Sequence, residues 1–321
     1  MLPTTRFATH RPTPWRTPAL IAAAGLAASF LYVQAKSRAA ERDNPPAGKF
    51  VEVDGVRLHY IERGEGPPLV LLHGNGLFAN DFELSGLFER AARNHRVIAF
   101  DRPGFGYSER PSGTEWTPEA QARLIYQALH ELRVDRPVVV GHSWGTLVAL
   151  AMALDFPKYV RGIALVSGYF YPSARVDAAL ASVPALPVLG HFLRYTVSPL
   201  MGRMMWPRLV RKMFEPAETP ERFERTPAWM TLRPGQLRAS AAESGLMVPA
   251  AERLSQRYAE LVMPVAVIAG GGDQICDADH HSVRLHQDIS HSELVLEPGV
   301  GHMAHYADVD KIMAAIDKLE A

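Results

Sequence analysis

One stretch, residues 141–145, constrains the fold of this chain more than any other, and it reads GHSWG. The apolar, β-branched run PVVV at residues 137–140 precedes it, and the apolar, helix-forming run TLVALAMAL at residues 146–154 follows it. A G-x-S-x-G motif between a strand and a helix is typical of a tight turn that presents its serine as a nucleophile. Both glycines are needed because a Cβ atom there would collide with the neighbouring strand or helix. We therefore predict that Ser143 is a nucleophile at the end of a buried strand.

The composition is typical of one large α/β domain with an insertion. Of the 321 residues, 47% are hydrophobic and 21% are charged, as in ordinary globular proteins. The 34 basic and 34 acidic residues cancel, and because no basic field results we expect no nucleic-acid partner. The single cysteine, Cys276, cannot form a disulfide within the chain.

Residues 1–48 are predicted to form a separate N-terminal segment. Residues 1–15 are rich in proline, threonine and arginine, and residues 19–35 are almost uninterruptedly apolar. A bilayer span needs about 20 apolar residues, and this run has about 17. Three interpretations stay open: an uncleaved membrane anchor, which we favour, a signal peptide cleaved after Ala35, and an amphipathic helix of a soluble protein. Residues 37–49 contain two consecutive prolines and are predicted to be a linker.

Cations flank the apolar run on both sides. Because of this symmetry, the charges give only a preference for the orientation of the run in a membrane. Three arginines precede the run and three cations follow it: Arg6, Arg11, Arg16, Lys36, Arg38 and Arg42. The early arginines favour an N-terminus inside the cytoplasm. We accordingly expect the rest of the chain to lie outside the cytoplasmic membrane, tethered to it or exported after cleavage. No oligomeric state is predicted.

From residue 49 to residue 321, predicted strands alternate with predicted helices. A hairpin is predicted over residues 50–63, and apolar runs typical of buried strands follow at 68–72, 96–100, 137–140, 161–166, 264–269 and 293–296. Helices are predicted at 81–92, 118–132 with Thr117 as N-cap, 146–154, 279–289 and 308–319. This alternation predicts a doubly wound, mostly parallel sheet.

Residues 171–261 interrupt this alternation and are predicted to form an inserted helical cap. The segment has no strand pattern and is rich in proline, leucine, methionine and tryptophan. Its methionine and tryptophan residues either pack the cap on itself or line an adaptable apolar pocket roof. The residues concerned are Met201, Met204, Met205, Trp206, Met213, Trp229 and Met230.

A serine nucleophile needs a base within hydrogen-bonding distance and an acid that orients the base. With this serine motif the acid and the histidine follow in that order along the chain, after later strands. Asp273 directly follows the strand predicted at 264–269 and is the favoured acid, with Asp277 and Asp279 as alternatives that could instead cap a helix. His302 follows the last strand in a glycine-rich loop and is the favoured base, with His305 as its alternative.

An oxyanion intermediate needs two backbone N–H donors. The N–H of Trp144, directly after the nucleophile, is one candidate, and Asn75 in the loop HGNG at residues 73–76 supplies the other. We expect His73 to brace this loop rather than to react. Residues 101–108 read DRPGFGYS and follow another strand, so they are predicted to be a turn that shapes the floor of the site.

Four further histidines are of the residue type that binds metal ions, but their surroundings in the sequence do not support a metal site. His280, His281, His286 and His291 lie on or beside one short predicted helix. Nothing in the sequence supplies partners that would orient them as ligands. We therefore expect neither a metal nor any other cofactor.

Taken together, these motifs resemble the α/β-hydrolase superfamily from about residue 50 to the C-terminus. The matching stretches are residues 73–76, 101–108, 141–145, 270–273 and 301–302. The chain looks most similar to the capped branch, which holds esterases, haloperoxidase-like hydrolases, epoxide hydrolases and haloalkane dehalogenases. The last two use an aspartate nucleophile where this chain has Ser143, and proline iminopeptidases carry a richer Pro/Gly oxyanion loop than residues 73–76.

The resemblance implies a serine hydrolase with Ser143, Asp273 and His302 as catalytic residues and Asn75 and Trp144 at the oxyanion hole. We expect it to act without a cofactor on an ester or related acyl bond of a small or medium-sized apolar substrate. One alternative is a carbon–carbon bond hydrolase or a cofactor-free perhydrolase with the same triad. Another is a membrane-tethered binding protein that keeps the fold without catalysis.

Overall fold

The computed structural model describes residues 16–320, and an eight-stranded sheet forms their centre. Its strands in chain order are β1 (Lys49–Val53), β2 (Val56–Arg63), β3 (Pro68–Leu72), β4 (Arg96–Phe100), β5 (Val138–His142), β6 (Gly162–Val166), β7 (Val265–Gly270) and β8 (Ser292–Glu297). They lie in the spatial order β1-β2-β4-β3-β5-β6-β7-β8. The pairs β1–β2 and β2–β4 are antiparallel and every other pair is parallel. The prediction of a mostly parallel, doubly wound sheet is confirmed.

The helices alternate with the strands and cover both faces of the sheet. They are α1 (Arg16–Asp43), α2 (Asn80–Ser85), α3 (Leu87–Ala91), α4 (Pro118–Glu131), α5 (Trp144–Asp155), α6 (Val176–Ala181), α7 (Leu189–Thr196), α8 (Ser198–Phe214), α9 (Glu221–Glu224), α10 (Ala228–Thr231), α11 (Pro234–Ser255), α12 (Arg284–Asp288) and α13 (Val309–Asp317). As predicted, the Thr117 hydroxyl caps α4 by accepting a hydrogen bond from the Ala120 N–H.

Successive residues of a central strand enter two different apolar cores. Leu69 and Leu71 of β3 pack on the side of α2, α3 and α13, whereas Val70 and Leu72 pack on the side of α4 and α5. All four are fully buried. This is the expected consequence of the period of two in a strand that helices cover on both faces.

The helix predicted over residues 81–92 is divided in two. Gly86 separates α2 from α3 and has φ +83°, a conformation that a residue with a side chain rarely adopts. Apolar periodicity continues across the glycine, and for this reason the pattern predicted one continuous helix.

The predicted linker at residues 37–49 is correct only for its second part. Helix α1 continues to Asp43, so only residues 44–48 separate it from β1. Ser37 and Ala40 are buried in the body of the protein, and this tertiary contact keeps the last turns of α1 helical. The helix ends before Pro45 and Pro46, which disfavour helical backbone in the residue that precedes them. By length and composition, Pro18–Asp43 could cross a membrane.

Residues 171–261, called the cap below, contain helices α6–α11 and no strand. The cap enters the chain between β6 and β7. Because parallel strands end at the same edge, the cap lies over the carboxyl ends of β5, β6 and β7. That edge carries the residues described next.

Candidate active site

Ser143 lies in the sharp turn between β5 and α5. Its backbone has φ +51° and ψ −120°, a strained conformation for a residue with a side chain. The Ser143 N–H donates to the carbonyl oxygen of Val166 at 2.9 Å, which ties the turn to β6. A Cβ at Gly141 would overlap the backbone of Gly145, and a Cβ at Gly145 would overlap the Leu72 carbonyl. The turn can therefore form only with glycine at both positions.

Ser143, His302 and Asp273 are brought together in one hydrogen-bonded chain. The distance from His302 Nε2 to Ser143 Oγ is 2.8 Å, and the distance from His302 Nδ1 to Asp273 Oδ2 is also 2.8 Å. Asp273 accepts at Nδ1, so that nitrogen carries the proton and Nε2 is free to accept from the serine hydroxyl. The geometry is that of a nucleophile, a base and an orienting acid.

The Asp273 carboxylate is held by the backbone of its own loop. Its Oδ1 atom accepts hydrogen bonds from the N–H groups of Ile275 at 2.7 Å and Cys276 at 3.0 Å. The Asp273 side chain is fully buried against His302. These donors stabilise its negative charge and fix its orientation. The alternative acid Asp277 instead accepts from the His280 N–H, in the helix-capping position.

Asn75 and Trp144 line the same cavity as Ser143. The Asn75 amide donates to the Ser240 carbonyl at 3.1 Å and to Ser244 Oγ at 3.3 Å, which attaches the loop to α11 of the cap. With its side chain used in this way, the backbone N–H of Asn75 is the group that remains for an oxyanion.

His73 occupies a bracing position beneath the loop at residues 73–76. Its Nδ1 bonds to the Gly74 carbonyl at 2.7 Å, and its Nε2 accepts from the Arg102 N–H at 2.9 Å. Burial, with the nearby Arg102 charge, lowers the pKa of His73 well below its usual value. The ring is therefore neutral at pH 7 and connects two loops of the site.

A fully buried ion pair, which the sequence analysis missed, joins the sheet to the cap. The Arg102 guanidinium forms a bidentate pair with Glu243 of α11. It also donates to the carbonyl oxygens of His73 and Gly74. Trp144 contributes a further link, since its indole N–H donates to the Glu243 carbonyl. Arg102 and Glu243 are 141 positions apart in the chain, so no local sequence pattern would reveal the pair.

The cavity beside Ser143 has a volume of about 310 Å³ and is lined mainly by apolar side chains. The cap contributes Ala178, Ala181, Leu209, Met213 and Met247 to this lining. Of the methionine and tryptophan residues considered for a pocket roof, Met213 lies here, while Met230 is buried elsewhere and Met201, Met204 and Met205 are exposed. The pocket-roof interpretation thus holds for Met213, and neither interpretation describes the three exposed methionines.

The alternative base, His305, has a different partner. Its Nε2 lies 2.8 Å from Asp81 Oδ2 in a buried pair, and the Tyr306 hydroxyl donates to the same carboxylate. Asp81, His142 and His305 together are the one group of metal-type ligands found close to one another within residues 16–320. Because the Asp81 carboxylate already accepts from His305 and Tyr306, we interpret this group as a hydrogen-bond network beneath His302.

Three of the four histidines considered for a metal site have separate hydrogen-bond partners. His281 Nδ1 accepts from the backbone N–H groups of Phe170 and Tyr171, His286 bonds to Ser292, and His291 bonds to the Met263 carbonyl. These three rings are thus engaged in local contacts, and the exposed His280 ring lies against that of His281.

A Gly145→Ala substitution tests the close packing of the turn. We expect a loss of about 3 kcal/mol in the free energy of unfolding, the upper range for forcing an atom into a packed core, because the new Cβ meets the Leu72 and His73 carbonyls. Urea denaturation measures it. Gly113→Ala is the matched control, since a Cβ there meets nothing within 4 Å. Equal stability of the two variants would contradict the packing described here.

Because His281 is buried, we expect the protein to lose stability in acid. Burial lowers its pKa from 6.5 to about 4, so between those values the unfolded chain binds more protons than the folded one. The free energy of unfolding should fall as the pH drops through this window, by up to about 1.4 kcal/mol per pH unit. Urea denaturation at pH 7 and pH 5 should show a smaller pH dependence of the free energy of unfolding for His281→Asn than for the wild type. Identical pH dependence in wild type and His281→Asn would contradict this assignment.

Comparisons with known proteins identify similar sequences and folds. A family model described as alpha/beta hydrolase fold matches residues 67–309. Haloalkane dehalogenase 2 of Mycobacterium tuberculosis is 35% identical over 117 residues, which make up 36% of this chain and 40% of that protein. The 2-hydroxymuconate semialdehyde hydrolase of Pseudomonas putida is 33% identical over 153 residues, 46% of this chain and 53% of that protein. The matches thus span about half or less of the length of these relatives.

Solved structures show the same fold. An esterase from Thermogutta terrifontis superimposes with a TM-score of 0.71 at 21% sequence identity, and the match covers 85% of this chain and 100% of that one. At this level of identity the similarity concerns the fold alone.

Proposed function

The chain belongs to the α/β-hydrolase family, and from this membership we propose that it is a serine hydrolase that cleaves an ester or related acyl bond. One observation carries the proposal: Ser143, His302 and Asp273 form a continuous hydrogen-bonded chain at the wall of an apolar cavity. A serine hydroxyl is a poor nucleophile at neutral pH, and a base oriented by a buried acid is what acyl transfer requires.

In the first half of the reaction Ser143 Oγ attacks the acyl carbon while His302 Nε2 takes its proton. Asp273 keeps the proton of the neutral ring on Nδ1 and stabilises the imidazolium that forms. The negative charge on the carbonyl oxygen is bound by the backbone N–H groups of Asn75 and Trp144. Trp144 is suited to this because it is the first residue of α5, where N–H groups lack helical acceptors and the helix dipole is positive.

In the second half His302 gives its proton to the leaving group, and an acyl group stays on Ser143. Water, activated by the same His302 nitrogen, then releases the acid and restores the serine. Every proton transfer uses residues of this chain, so the reaction needs no cofactor.

The cavity supports a small or medium-sized apolar substrate. Its volume of about 310 Å³ lies at the lower end of the range for small-molecule sites, ~300–1,000 Å³. Leu77, Leu209, Met213 and Met247 give it an apolar wall. Methionine side chains adapt to different shapes, so several acyl chains would fit.

A second candidate function is hydrolysis of a carbon–carbon bond. It is favoured by the similarity to the 2-hydroxymuconate semialdehyde hydrolase of Pseudomonas putida. A haloalkane dehalogenase or epoxide hydrolase is less well supported, because the resembling enzymes of those classes use an aspartate at the position of Ser143. A perhydrolase would use the same triad with peroxide in place of water.

We also propose that α1 is an uncleaved membrane anchor, with the catalytic domain outside the cytoplasmic membrane. Besides its apolar composition, the support is its packing on the cap. Val33 is fully buried, and Ser29 donates to the Thr196 carbonyl. Cleavage after Ala35 would remove both residues and expose the surface that they cover.

Labelling with a fluorophosphonate probe and a substrate panel tests the proposed activity. The panel contains p-nitrophenyl esters of increasing chain length, a vinylogous diketone, and an ester with peroxide. We expect labelling at Ser143 and turnover of short and medium esters. Turnover of the diketone alone would favour the carbon–carbon hydrolase. Absence of both labelling and turnover would favour a binding protein that keeps only the fold.

A further inference from the structure

The outer surface of the cap exposes a group of apolar side chains that no part of the described chain covers. We call this group, on α6, α7 and the turn between them, the apolar cap face: Val176, Leu180, Leu186, Val188, Leu189 and Phe192. Val188, at the bend, is 86% exposed. An exposed apolar group of this size on a soluble protein usually marks a binding surface.

The same segment is almost free of charge. Residues 178–193 contain no aspartate, glutamate, lysine or arginine. Val176–Ala185 and Leu189–Thr196 are bent by 90° against each other, and together they are apolar enough for a broken span or a re-entrant loop. An ordinary solvated surface helix carries charged residues on its outer face, and residues 178–193 have none; the exposed Asp177 at the start of α6 is paired with Arg175.

The apolar cap face is continuous with the candidate membrane anchor α1. The Ser29 hydroxyl donates to the Thr196 carbonyl at the end of α7, and the rings of Phe30 and Tyr195 lie 6.0 Å apart. Further along α1, Tyr32 contacts Trp229 of α10. The exposed apolar residues of α1 and those of α7 therefore belong to one side of the molecule.

The length of α1 makes this contact informative. About 20 helical residues cross the ~30 Å hydrocarbon layer, so a span that begins at Pro18 ends near residue 37. The contacts with α7 begin at Ser29, about 16 Å along the helix, which is midway through such a span. If α1 crosses the bilayer with these contacts intact, α7 enters the hydrocarbon layer beside it.

Helix α8 adds the charge that an anionic lipid surface attracts. It contains Arg203, Arg208, Arg211 and Lys212 and no acidic residue, and all four cations are exposed. On the same helix Met201, Met204 and Met205 are exposed. Cations next to apolar side chains are the pattern of helices that lie in the interface of anionic membranes.

We propose that the apolar cap face inserts into an anionic phospholipid bilayer and forms a second membrane contact beside α1. This inference rests on the proposal that α1 is a membrane anchor, and it does not depend on the chemistry of Ser143. Ala178 and Ala181 of α6 and Leu209 and Met213 of α8 line the Ser143 cavity. One wall of the cavity is thus formed by α6 of the apolar cap face and by the cationic helix α8, and an apolar acyl substrate enters the cavity from the bilayer.

Fluorescent labels at introduced cysteines test the inference on the full chain in vesicles of phosphatidylcholine and phosphatidylglycerol. The one native cysteine, Cys276, is buried, and wild type labelled in parallel gives its background. Val188→Cys reports on the cap face, and Leu20→Cys reports on α1. Val262→Cys is the matched control, because this valine is also 75% exposed but precedes β7 at the opposite edge of the sheet. Quenching by lipids with a nitroxide on the acyl chain measures depth.

We expect strong quenching at positions 20 and 188 and none at position 262. If the label at position 20 is quenched and the label at position 188 is quenched no more than the control at position 262, the cap inference is overturned. The proposal that α1 is a membrane anchor would still stand. Absence of quenching at both 20 and 188 would overturn the anchor and the cap inference together. None of these results bears on the triad.

A second measurement needs no label. Val188→Asp should reduce turnover of an ester dissolved in the vesicles by about tenfold, which corresponds to ~1.4 kcal/mol, and leave turnover of a water-soluble ester unchanged. Val188 is 86% exposed, so an aspartate at this position stays in water in the absence of lipid and the variant should fold. Val262→Asp should change neither rate. Equal turnover of the vesicle ester by both variants would contradict insertion of the cap.

Discussion

Ser143→Ala should lower the turnover of p-nitrophenyl esters by a factor of about 10⁵ to 10⁶ while the protein stays folded. Removal of the nucleophile from a triad costs this much, because the oxyanion hole and substrate binding alone retain only a small part of the acceleration. The alanine has no Oγ for His302 to deprotonate, and no acyl-enzyme forms. Initial rates and circular dichroism of both proteins measure the effect.

Ser167→Ala is the control for Ser143→Ala. Ser167 is a buried serine at the end of β6 with φ +50°, which is almost the φ of Ser143, and its hydroxyl has no hydrogen-bond partner. It therefore reproduces the positive φ of Ser143 without the contact to His302, although Ser167 is fully buried and Ser143 is half-buried. We expect its turnover to change by less than about tenfold, within ~1.4 kcal/mol. If Ser143→Ala and Ser167→Ala turn over the ester at similar rates, Ser143 is not the nucleophile.

Glu243→Leu should destabilise the protein by about 3–5 kcal/mol, the usual cost of leaving one partner of a buried ion pair without the other. Arg102 would keep its charge in a site where both side chains are fully inaccessible to solvent. The substitution also removes one of the links between α11 of the cap and the loop that carries His73 and Gly74, while the Asn75 amide still bonds to Ser240 and Ser244. Urea denaturation and the melting temperature measure the change.

The double variant Arg102→Met/Glu243→Leu separates charge from positioning. It removes both charges of the pair and leaves Arg110, whose guanidinium lies 3.9 Å from Glu243, as the remaining nearby cation, so we expect part of the lost stability to return. Ester turnover should not return, because the guanidinium also donates to the His73 and Gly74 carbonyls and thereby positions the loop that presents Asn75. A double variant as unstable as Glu243→Leu would contradict the role given to the unpaired charge. A double variant with full turnover would contradict the positioning role.

Local patterns were sufficient for the sheet and for the residues that could react. The bounds predicted for β3 and β4 are those observed, Pro68–Leu72 and Arg96–Phe100. Buried strands and tight turns depend on a few adjacent residues, so their signal is complete within the stretch itself. The positions of Asp273 and His302 after their strands predicted that both reach Ser143, since parallel strands end at one edge. Their role in catalysis stays a prediction.

Features that depend on distant contacts could not be predicted in this way. Helix α1 passes through the predicted linker because Ser37 and Ala40 are covered by the rest of the protein. The composition of α8 could not separate Met213, which lines the cavity, from Met204, which faces outward. Both are apolar residues of one helix, and the neighbouring helices decide which side is buried.

The sequence by itself determined the layered architecture, the strained serine turn and the chain order of the acid and the base, because each follows from short-range sterics and alternation. Only the tertiary structure decided that Glu243 pairs with Arg102, that the Asn75 side chain is attached to the cap, and that an apolar surface lies beside α1. These features join segments far apart in the chain, and their energies arise only when folding removes the partners from water.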